Sequence, residues 1–512
     1  MRSAITHTLI HELFDARVAS APGQAFLYTP EATLTLADLD AMVTQLAQEL
    51  RADGVQPGDR VLTVAENCPE HVALILACSR VGAWSCGVNA RMSRGEISGF
   101  NAKADPRVVY FTSGVSDAAR QHAHDAGARS SVLPGLQRSA ARPQAVAEQG
   151  ELAARVAAII FTSGTTGAPK GVLVSHAGIL QFARVSAQSR ELGPQDRSYA
   201  YLPMTHIFGL GTVLMASLYA GAGLVMRSKF DPADLFDALA HHSLSNLQGP
   251  PAMFSRLLGW LDQQGIAQPL APALRYVYTG AAALDMRLKQ AIEQRFGHPL
   301  HHGYGLSEYA GALCVGRLGE RRDDTSAGYL VEGGELRIVN SQGQDLPSGE
   351  KGEIWMRGVG LMPGYFRDAP ATAQVMRPGG WYASGDLGCQ AADGALFVVG
   401  RLKEMIIRSG FNVYPGEVEV VLAAFPGVQR AAVVGRSESD GNEEIVAFVE
   451  TADQMPLDMH GLQAHIAENL APYKRPARVI CVESFPMTLS GKVLKRQLLS
   501  DLVQTTPCAV LP

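Results

Sequence analysis

The sequence predicts a mixed α/β protein, with α+β character in parts, that has a large N-terminal domain and a small C-terminal domain. Its length of 512 residues exceeds that of a usual single domain, so two or more domains are expected. Short apolar runs typical of buried strands alternate with helical patterns, which indicates doubly wound sheets in the large domain. From residue 335 short strands and tight turns follow one another, which indicates a β-rich subdomain at about 326–400.

We predict an N-terminal domain at 1–400, a connecting segment at 401–404 and a C-terminal α/β domain at 405–512. The last of these has about a hundred residues, which is near the usual domain size. Its pattern reads helix, strand, strand, helix, strand. No internal repeat interrupts this division of the chain.

The first half of the chain supplies the alternation of helices and strands. Thr35 is a candidate N-cap for a helix with one apolar face that ends near Gly54. A strand at 61–64, a helix at 70–81 and a strand-like run at 83–88 follow. This order is typical of one layer of a doubly wound sheet.

Further strands are predicted to end in glycine-containing turns. The strand at 275–279 ends at Gly280 and the strand at 299–302 ends at Gly303. Ligands of open α/β sheets bind at the carboxyl ends of the strands. These two turns are therefore expected to lie near a ligand.

Composition narrows the classes of function. A hydrophobic content of 47% with 18% charged residues is typical of a globular protein with a large core. A net charge of −5 gives no basic surface, so no nucleic-acid partner is expected. The seven cysteines are scattered and odd in number, which favours reduced thiols in the cytoplasm over disulfides or a zinc site. We find no signal-peptide pattern and expect no integral membrane segment.

The stretch 161–171 has the composition of a phosphate-binding loop. It reads Phe-Thr-Ser-Gly-Thr-Thr-Gly-Ala-Pro-Lys-Gly and follows an apolar run at 156–160 that predicts a buried strand. Glycines let backbone N–H groups turn toward an anion, hydroxyls add donors, and Lys170 adds a cation. It is no Walker loop, because Gly171 stands where that loop has the magnesium-binding hydroxyl. A surface loop rich in small polar residues is the alternative.

Two carboxylates lie where nucleotide chemistry could use them. Glu308 follows a predicted strand end and suits magnesium, which is commonly held by one or two carboxylates plus substrate phosphates. Asp386, in a predicted turn between β segments, could accept hydrogen bonds from a vicinal diol such as that of ribose. A solvated surface carboxylate and a turn-capping Asp are the respective alternatives.

His206 and Lys492 are the remaining candidate catalytic residues. His206 stands in Leu-Pro-Met-Thr-His-Ile-Phe-Gly at 202–209, and Lys492 stands in Thr-Leu-Ser-Gly-Lys-Val at 488–493. A histidine among apolar residues is more often a satisfied core residue, and a lysine is more often exposed.

The stretch 161–171 resembles the signature of the acyl-adenylate-forming enzymes, which include acyl-CoA ligases, amino-acid adenylation domains and luciferases. The resemblance extends in family order from Val-Gln-Pro-Gly-Asp at 55–59 to Lys492, so it covers nearly the whole chain. Tyr-Gly-Leu-Ser-Glu at 304–308 is similar to the family's Tyr-Gly-x-Thr-Glu. Ser384-Gly385-Asp386 is similar to its Thr-Gly-Asp. Serine replaces threonine in both, and Thr205 replaces a residue that is often bulky.

By this resemblance a defined set of residues binds ATP and AMP. Tyr304 stacks on adenine, Ser307 contacts the α-phosphate, Glu308 holds magnesium, and Asp386 and Arg401 contact the ribose or phosphate. The full nucleotide-binding set implied is Thr162, Ser163, Gly164, Thr165, Thr166, Gly167, Lys170, Gly280, Ala281, Ala282, Gly303, Tyr304, Gly305, Ser307, Asp386 and Arg401.

The resemblance also implies an acyl pocket, a hinge and a CoA-facing segment. His206 orients the carboxylate, and the implied pocket residues are Phe208, Gly209, Gly211, Thr212, Tyr309 and Ala310. Lys403 occupies the hinge position, so the small domain is expected to be mobile, and Lys492 reaches the site during adenylation. The segment facing CoA is Arg408, Ser409, Gly410 and Phe411. Leu202 stands where amino-acid adenylation domains have an aspartate, which disfavours an amino-acid substrate.

The resemblance therefore predicts an ATP-dependent carboxylic acid–CoA ligase that uses ATP, Mg²⁺ and CoA and releases pyrophosphate and AMP. The acid is expected to be aliphatic or aromatic, as in fatty-acid or aromatic-acid metabolism. A dicarboxylic acid is an alternative substrate, because an arginine could pair with its second carboxylate; the candidates are Arg317, Arg321 and Arg322. An adenylation enzyme that loads a carrier protein, or a nucleotide-binding or hydrolysing protein, are the alternatives. The sequence does not fix the oligomeric state, and a homodimer stays open.

Overall fold

The computed structural model describes residues 7–163, 169–408, 411–437, 443–451, 457–487, 493–495 and 497–498. Its α-helices, in chain order, are Ile10–Ser20 (α1), Leu36–Ala52 (α2), Pro69–Arg80 (α3), Arg94–Ala104 (α4), Asp117–Asp125 (α5), Gly150–Arg155 (α6), His176–Ser189 (α7), Ala216–Ala220 (α8), Pro232–His241 (α9), Pro251–Gln263 (α10), Met286–Phe296 (α11), Ala369–Val375 (α12), Pro415–Ala423 (α13) and Met459–Asn469 (α14). A π-helix spans Phe208–Met215, and short 3₁₀ turns span Ser307–Tyr309, Leu402–Glu404 and Pro472–Lys474.

The strands alternate with these helices through most of the chain. In order they are Ala25–Tyr28 (β1), Thr33–Thr35 (β2), Arg60–Ala65 (β3), Trp84–Asn89 (β4), Val108–Phe111 (β5), Arg129–Ser130 (β6), Gln137–Arg138 (β7), Val156–Ser163 (β8), Pro169–Ser175 (β9), Arg197–Ala200 (β10), Gly223–Met226 (β11), Asn246–Gly249 (β12), Tyr276–Thr279 (β13), Leu300–Leu306 (β14), Gly311–Val315 (β15), Tyr329–Leu330 (β16), Gly334–Val339 (β17), Gly352–Gly358 (β18), Met376–Arg377 (β19), Trp381–Gln390 (β20), Leu396–Arg401 (β21), Ile406–Arg408 (β22), Phe411–Val413 (β23), Val428–Ser437 (β24), Glu443–Thr451 (β25) and Arg478–Val482 (β26).

Two largely parallel sheets form the large domain. One runs in the order β6-β7-β5-β3-β4-β8-β9 and the other in the order β16-β15-β14-β13-β12-β10-β11-β1-β2. Apolar side chains from α1, α2, α3, α7 and α8 join both sheets in one buried cluster. A third sheet, β17-β18-β20-β19 with β21 against β20, forms the β-rich part. The mixed α/β class predicted from the sequence is confirmed.

The small domain has its own sheet and core. Its strands lie in the order β24-β25-β26, and a short hairpin pairs β22 with β23. Helices α13 and α14 contribute Val418, Leu422, Leu462 and Ile466 to a separate buried cluster. Among the residues described, no helix combines the length and apolar content needed to cross a membrane.

Helix α2 shows how local chemistry sets the predicted elements. The hydroxyl of Thr35 accepts a hydrogen bond from the N–H of Asp38 (3.2 Å), and the Asp38 carboxylate accepts one from the N–H of Thr35 (2.9 Å). This capping box satisfies two N–H groups that the helix itself leaves unbonded. The apolar face of the helix is buried, as predicted, and the chain turns away at Gly54, which has φ of +73°.

The predicted strand ends at two site segments were wrong. Strand β14 continues to Leu306, because Gly303 and Gly305 let β15 pair closely alongside it; a Cβ at Gly305 would lie 2.2 Å from the oxygen of Gly311. Asp386 lies inside β20 rather than in a turn. Gly385, at φ +71°, absorbs the irregularity in pairing there.

Candidate active site

Strands β8 and β9 form an antiparallel hairpin that brings the arms of the predicted phosphate loop together. Thr162 pairs with Lys170, so the two ends of the predicted loop lie side by side. Gly164, Thr165, Thr166 and Gly167 lie outside the described residues, as does the side chain of Ser163. The segment 364–366 runs beside β9: the N–H of Phe366 donates to the oxygen of Gly171 (2.7 Å), and the N–H of Leu173 donates to the oxygen of Gly364 (3.1 Å).

This segment places Tyr365 between Lys170 and Glu308. The Tyr365 hydroxyl donates to Oε1 of Glu308 at 3.0 Å, and Nζ of Lys170 lies 4.7 Å from the centre of the Tyr365 ring. The hydroxyl of Tyr382 lies 3.5 Å from that of Tyr365. Burial raises the pKa of Glu308, while the hydrogen bond from Tyr365 acts in the opposite direction. The structure thus joins the predicted cation and carboxylate through a tyrosine that the sequence analysis missed.

Asp386 is the second organised carboxylate. The Tyr304 hydroxyl donates to Oδ2 at 2.8 Å, and Nε of Arg401 lies 3.1 Å from Oδ1. Asp386 and Arg401 are paired neighbours on β20 and β21, and the N–H of Asp386 donates to Oγ of Ser384 (3.0 Å). Each carboxylate oxygen has a second lone pair, so the side chain can still accept hydrogen bonds from a diol.

His206 is held as a neutral donor at the start of the π-helix. The N–H of Phe208 donates to Nδ1 of His206 at 3.2 Å, so the ring proton is on Nε2. Burial lowers the pKa of His206, which favours this uncharged form. Nε2–H is the group left to donate to a carboxylate.

The predicted acyl-pocket residues cluster around the π-helix. It carries Phe208, Gly209, Gly211 and Thr212, and the Phe208 ring meets Tyr278 edge to face, with centroids 5.9 Å apart. A Cβ at Gly211 would lie 2.7 Å from the ring of Phe182, so larger residues are excluded there. Tyr309 and Ala310 lie in the turn after β14, and both are buried.

The remaining predicted residues of the large domain lie at the carboxyl ends of β13 and β14. Gly280 to Ala282 directly follow β13, Gly303 and Gly305 lie in the second half of β14, and the buried Ser307 follows it. Ala281 and Ala310 have φ of +68° and +53°. Such a conformation costs a non-glycine residue about 1–3 kcal/mol and is concentrated at functional sites. Close packing against a ligand would explain why Ala281 and Ala310 keep a positive φ.

The structure describes some of the predicted site residues of the small domain and of the hinge. The Arg408 guanidinium donates to the oxygen of Arg475, and Phe411 pairs with Arg408 across the β22–β23 hairpin. Ser409, Gly410 and Lys492 lie outside the described residues. Lys403 lies in the turn Leu402–Glu404, directly after Arg401.

An ion pair connects the two domains. Lys351 of the β-rich part pairs with Glu417 of α13.

The arginines that kept a dicarboxylic acid open have other partners. Arg322 pairs with Asp324 (2.7 Å) and Asp393 (2.8 Å), and Arg321 lies 3.3 Å from Glu293. The Arg317 guanidinium lies 3.7 Å from the centre of the Tyr329 ring. The charges of Arg321 and Arg322 are therefore paired with carboxylates of the protein, whereas Arg317 lies on an aromatic ring.

The residues present fit a magnesium ion brought in with a nucleotide. No cluster of three or more His, Cys, Asp or Glu suited to a metal occurs in the described part of the chain, so an all-protein cage is absent there. Glu308 supplies one carboxylate, whose Oε1 is fixed by Tyr365. One or two carboxylates with substrate phosphates are the usual magnesium ligands.

Comparison with known proteins agrees with this geometry. Residues 14–366 match the family model of the AMP-binding enzymes, and residues 417–492 match that of the AMP-binding enzyme C-terminal domain. An indoleacetate–CoA ligase of Aromatoleum aromaticum is 33% identical over 501 residues, covering 95% of this chain and 96% of the relative. A feruloyl-CoA synthase of an Amycolatopsis species is 32% identical over 469 residues, covering 90% and 92%.

A solved structure extends the comparison to three dimensions. ATP-bound MatB from Rhodopseudomonas palustris superposes with a TM-score of 0.85 at 27% identity, covering 95% of this chain and 98% of that one. The chain belongs to the AMP-binding enzyme family, in the acid–CoA ligase branch of the acyl-adenylate-forming superfamily, whose members use ATP to join an acid to CoA through an acyl-adenylate.

Proposed function

We propose that this ligase acts on a carboxylic acid that carries an aromatic or other ring. The proposal rests on two fixed carboxylates and on the pocket next to them. Glu308 lies near Lys170, Asp386 lies beside Arg401, and the pocket has an aromatic wall. Phe208 and Tyr278 form that wall, and aromatic side chains pack well on a ring. The names of the indoleacetate and feruloyl relatives support an acid of this kind.

In the first step a carboxylate oxygen of the acid attacks the α-phosphorus of ATP. The P–O bond to the pyrophosphate breaks, giving acyl-AMP and pyrophosphate. Nε2–H of His206 orients the attacking carboxylate, Asp386 and Arg401 hold the ribose, and Tyr304 stacks on the adenine. Lys170 and the loop of residues 162–167 grip the β- and γ-phosphates, and Lys492 stabilises the charge that builds up at the α-phosphate.

Glu308 would hold Mg²⁺, an ion that neutralises phosphate charge and thereby favours departure of pyrophosphate. Tyr365 keeps one oxygen of Glu308 occupied, which leaves the other for the ion. Ser307, buried at the end of β14, contacts the α-phosphate in this proposal.

In the second step the thiol sulfur of CoA attacks the acyl carbon. The C–O bond to AMP breaks, the thiol proton passes to water, and the thioester and AMP are released. The small domain, 405–512, turns about Lys403 between the steps and brings residues 408–411 to the acyl-adenylate. One site thus serves both reactions through a hinge movement.

The test is a panel of carboxylic acids assayed for acid-dependent ATP–pyrophosphate exchange and then for thioester formation. We expect exchange with ring-bearing acids and, after CoA is added, one AMP released for each thioester formed. Exchange with straight-chain acids alone would contradict the proposed acid class. Release of orthophosphate without exchange would instead show a nucleotide hydrolase.

A carrier protein in place of CoA is the second candidate acceptor. Assaying CoA and a phosphopantetheine-bearing carrier separately decides between them. Sedimentation of the full chain, with and without ATP, tests the homodimer.

A further inference from the structure

Asn67, which has no part in the proposed mechanism, joins the two large sheets at the segment that leads to His206. It follows the carboxyl end of β3, where the N–H of Glu66 donates to the Thr112 hydroxyl (3.0 Å) and fixes the chain to the first sheet. Its side chain bonds to segment 200–204 at the carboxyl end of β10, a strand of the second sheet. Because Asn67 is 3% exposed, these contacts are shielded from water.

The Asn67 amide makes three hydrogen bonds to main-chain groups of this segment. Its NH₂ donates to the oxygens of Ala200 (3.2 Å) and Leu202 (2.8 Å), and its oxygen accepts from the N–H of Met204 (3.0 Å). An aspartate of the same size could accept but not donate, and a leucine could do neither. Asparagine is therefore specified at this position by its hydrogen bonds as well as by its shape.

The segment that Asn67 holds continues directly into His206. The N–H of His206 donates to the oxygen of Pro203 (3.0 Å), the residue between the last two that Asn67 bonds. The oxygen of His206 accepts from the N–H of Leu210 (3.0 Å), and its Nδ1 accepts from the N–H of Phe208 (3.2 Å). The main chain and the ring of His206 thus have fixed positions relative to Asn67.

Two glycines allow close packing on either side of the segment. A Cβ at Gly87 of β4 would lie 3.0 Å from Cα of Thr205, and a Cβ at Gly209 of the π-helix would lie 2.2 Å from the oxygen of Pro203. The segment is therefore packed between the first sheet and the π-helix with no room to spare. Close-packed interiors transmit displacements, so a shift of this segment moves His206.

The reaction makes the position of His206 matter. The attacking and leaving oxygens of phosphoryl transfer lie roughly in line, and a misplacement of about 1 Å can cost about 100-fold in rate. The phosphate loop belongs to the first sheet, whereas His206 follows a strand of the second. A bridge between the sheets next to His206 therefore controls how the acid meets the nucleotide.

We propose that Asn67 is a positioning residue for adenylation, whose amide holds segment 200–204 so that Nε2–H of His206 points at the attacking carboxylate. It acts through His206 and not by contact with the acid or ATP. The inference rests on the proposed function and adds to it the residue that sets the geometry of the first step.

The experiment is a double-mutant cycle in acid-dependent ATP–pyrophosphate exchange, with the most active acid of the panel. We expect Asn67→Ala to lower kcat about 10- to 100-fold, while calorimetric binding of AMP stays within about twofold. In a His206→Ala background the same change should lower exchange by less than about twofold, because the group that it positions is gone. A purely structural role would give the same fold loss in both backgrounds.

Asn246→Ala is the matched control. Asn246 is also buried, and its NH₂ donates to the Ser245 hydroxyl (2.8 Å), but it lies at the amino end of β12, whereas the site lies at the carboxyl ends of the strands. Its loss should change exchange by less than about twofold in either background. Asn67→Ser keeps one donor and should lose less activity than Asn67→Ala; it is the second variant where Asn67→Ala does not bind AMP.

Equal fold losses in the two backgrounds would overturn the inference. Loss of AMP binding in both Asn67→Ala and Asn67→Ser would also overturn it, because Asn67 would then support the whole site and not His206 in particular. Exchange by Asn67→Ala at the wild-type rate would overturn it as well. In all three cases the ligase function stands, whereas absence of exchange by the wild type with every acid would overturn the proposed function itself.

Discussion

The hydroxyl of Tyr365 lies 3.0 Å from Oε1 of Glu308, and the same ring lies under Nζ of Lys170 at 4.7 Å. One tyrosine therefore contacts both the carboxylate proposed to hold magnesium and the lysine proposed to hold the outer phosphates. Because segment 364–366 is also hydrogen-bonded to β9, Tyr365 links Glu308 to the strand that follows the phosphate loop.

Tyr365→Phe keeps the ring beneath Lys170 and removes the hydrogen bond to Glu308. The carboxylate then loses its fixed orientation, so we expect the apparent KM for Mg·ATP to rise about fivefold with a smaller change in the KM for the acid. Steady-state exchange at varied magnesium, together with calorimetric binding of Mg·ATP, measures this. Tyr382→Phe is the control, since its hydroxyl is 3.5 Å from that of Tyr365 and makes no hydrogen bond to Glu308 among the described contacts. Equal effects of both variants would contradict the role given to Tyr365.

Asp386→Asn tests the proposed ribose contact. The amide keeps the size of the side chain but loses the charge that Arg401 and the Tyr304 hydroxyl share. Hydrogen bonds to charged groups contribute about 1.5–3 kcal/mol, so AMP and ATP should bind about 10- to 100-fold more weakly. Equilibrium binding of AMP is the measurement. Asp345→Asn, an exposed aspartate paired with Arg337, should bind AMP as the wild type does. Unchanged binding by Asp386→Asn would exclude the contact.

His71 makes stability depend on pH. It is 1% exposed, neither ring nitrogen has a partner in the described structure, and burial lowers its pKa from 6.5 to about 4. The unfolded chain therefore binds the proton more tightly than the folded chain does. The contribution of neutral His71 to the free energy of unfolding is complete above pH 6.5, and the free energy of unfolding falls by about 3 kcal/mol as the pH drops to 4.

His71→Leu should make this dependence shallower between pH 7 and 4.5, and His176 and His301, whose pKa burial also lowers to about 4, should keep the remainder. Chemical denaturation at a series of pH values measures the free energy of unfolding directly. His241→Leu, at an exposed histidine beside Asp237, should keep the wild-type slope. Parallel curves for wild type and His71→Leu would show that another group controls acid stability.

The sequence was sufficient wherever structure depends on near neighbours. Thr35 caps its helix through Asp38, three residues away, and the apolar faces and strand runs are visible as periodicity. The site segments around Glu308, Asp386 and His206 could be recognised because their residue types occur in contiguous stretches.

What the sequence did not show depends on distant pairing. Tyr365 reaches Glu308 because segment 364–366 lies along β9, almost 200 residues earlier in the chain. Asp386 sits within a strand because an irregularity at Gly385 keeps β20 paired. Tyr278, in the wall of the proposed acyl pocket, stands beside Gln248 because of the register between β12 and β13, which no local pattern encodes.

The most direct test of the central claim is Lys492→Ala assayed in the two half-reactions separately. We expect acid-dependent ATP–pyrophosphate exchange to fall at least about 100-fold, because a cation that stabilises the transition state is lost. Thioester formation from prepared acyl-AMP and CoA should stay within about threefold of wild type. Lys495→Ala, at a neighbouring lysine paired with Glu419, is the control. Exchange at the wild-type rate in Lys492→Ala would contradict the account.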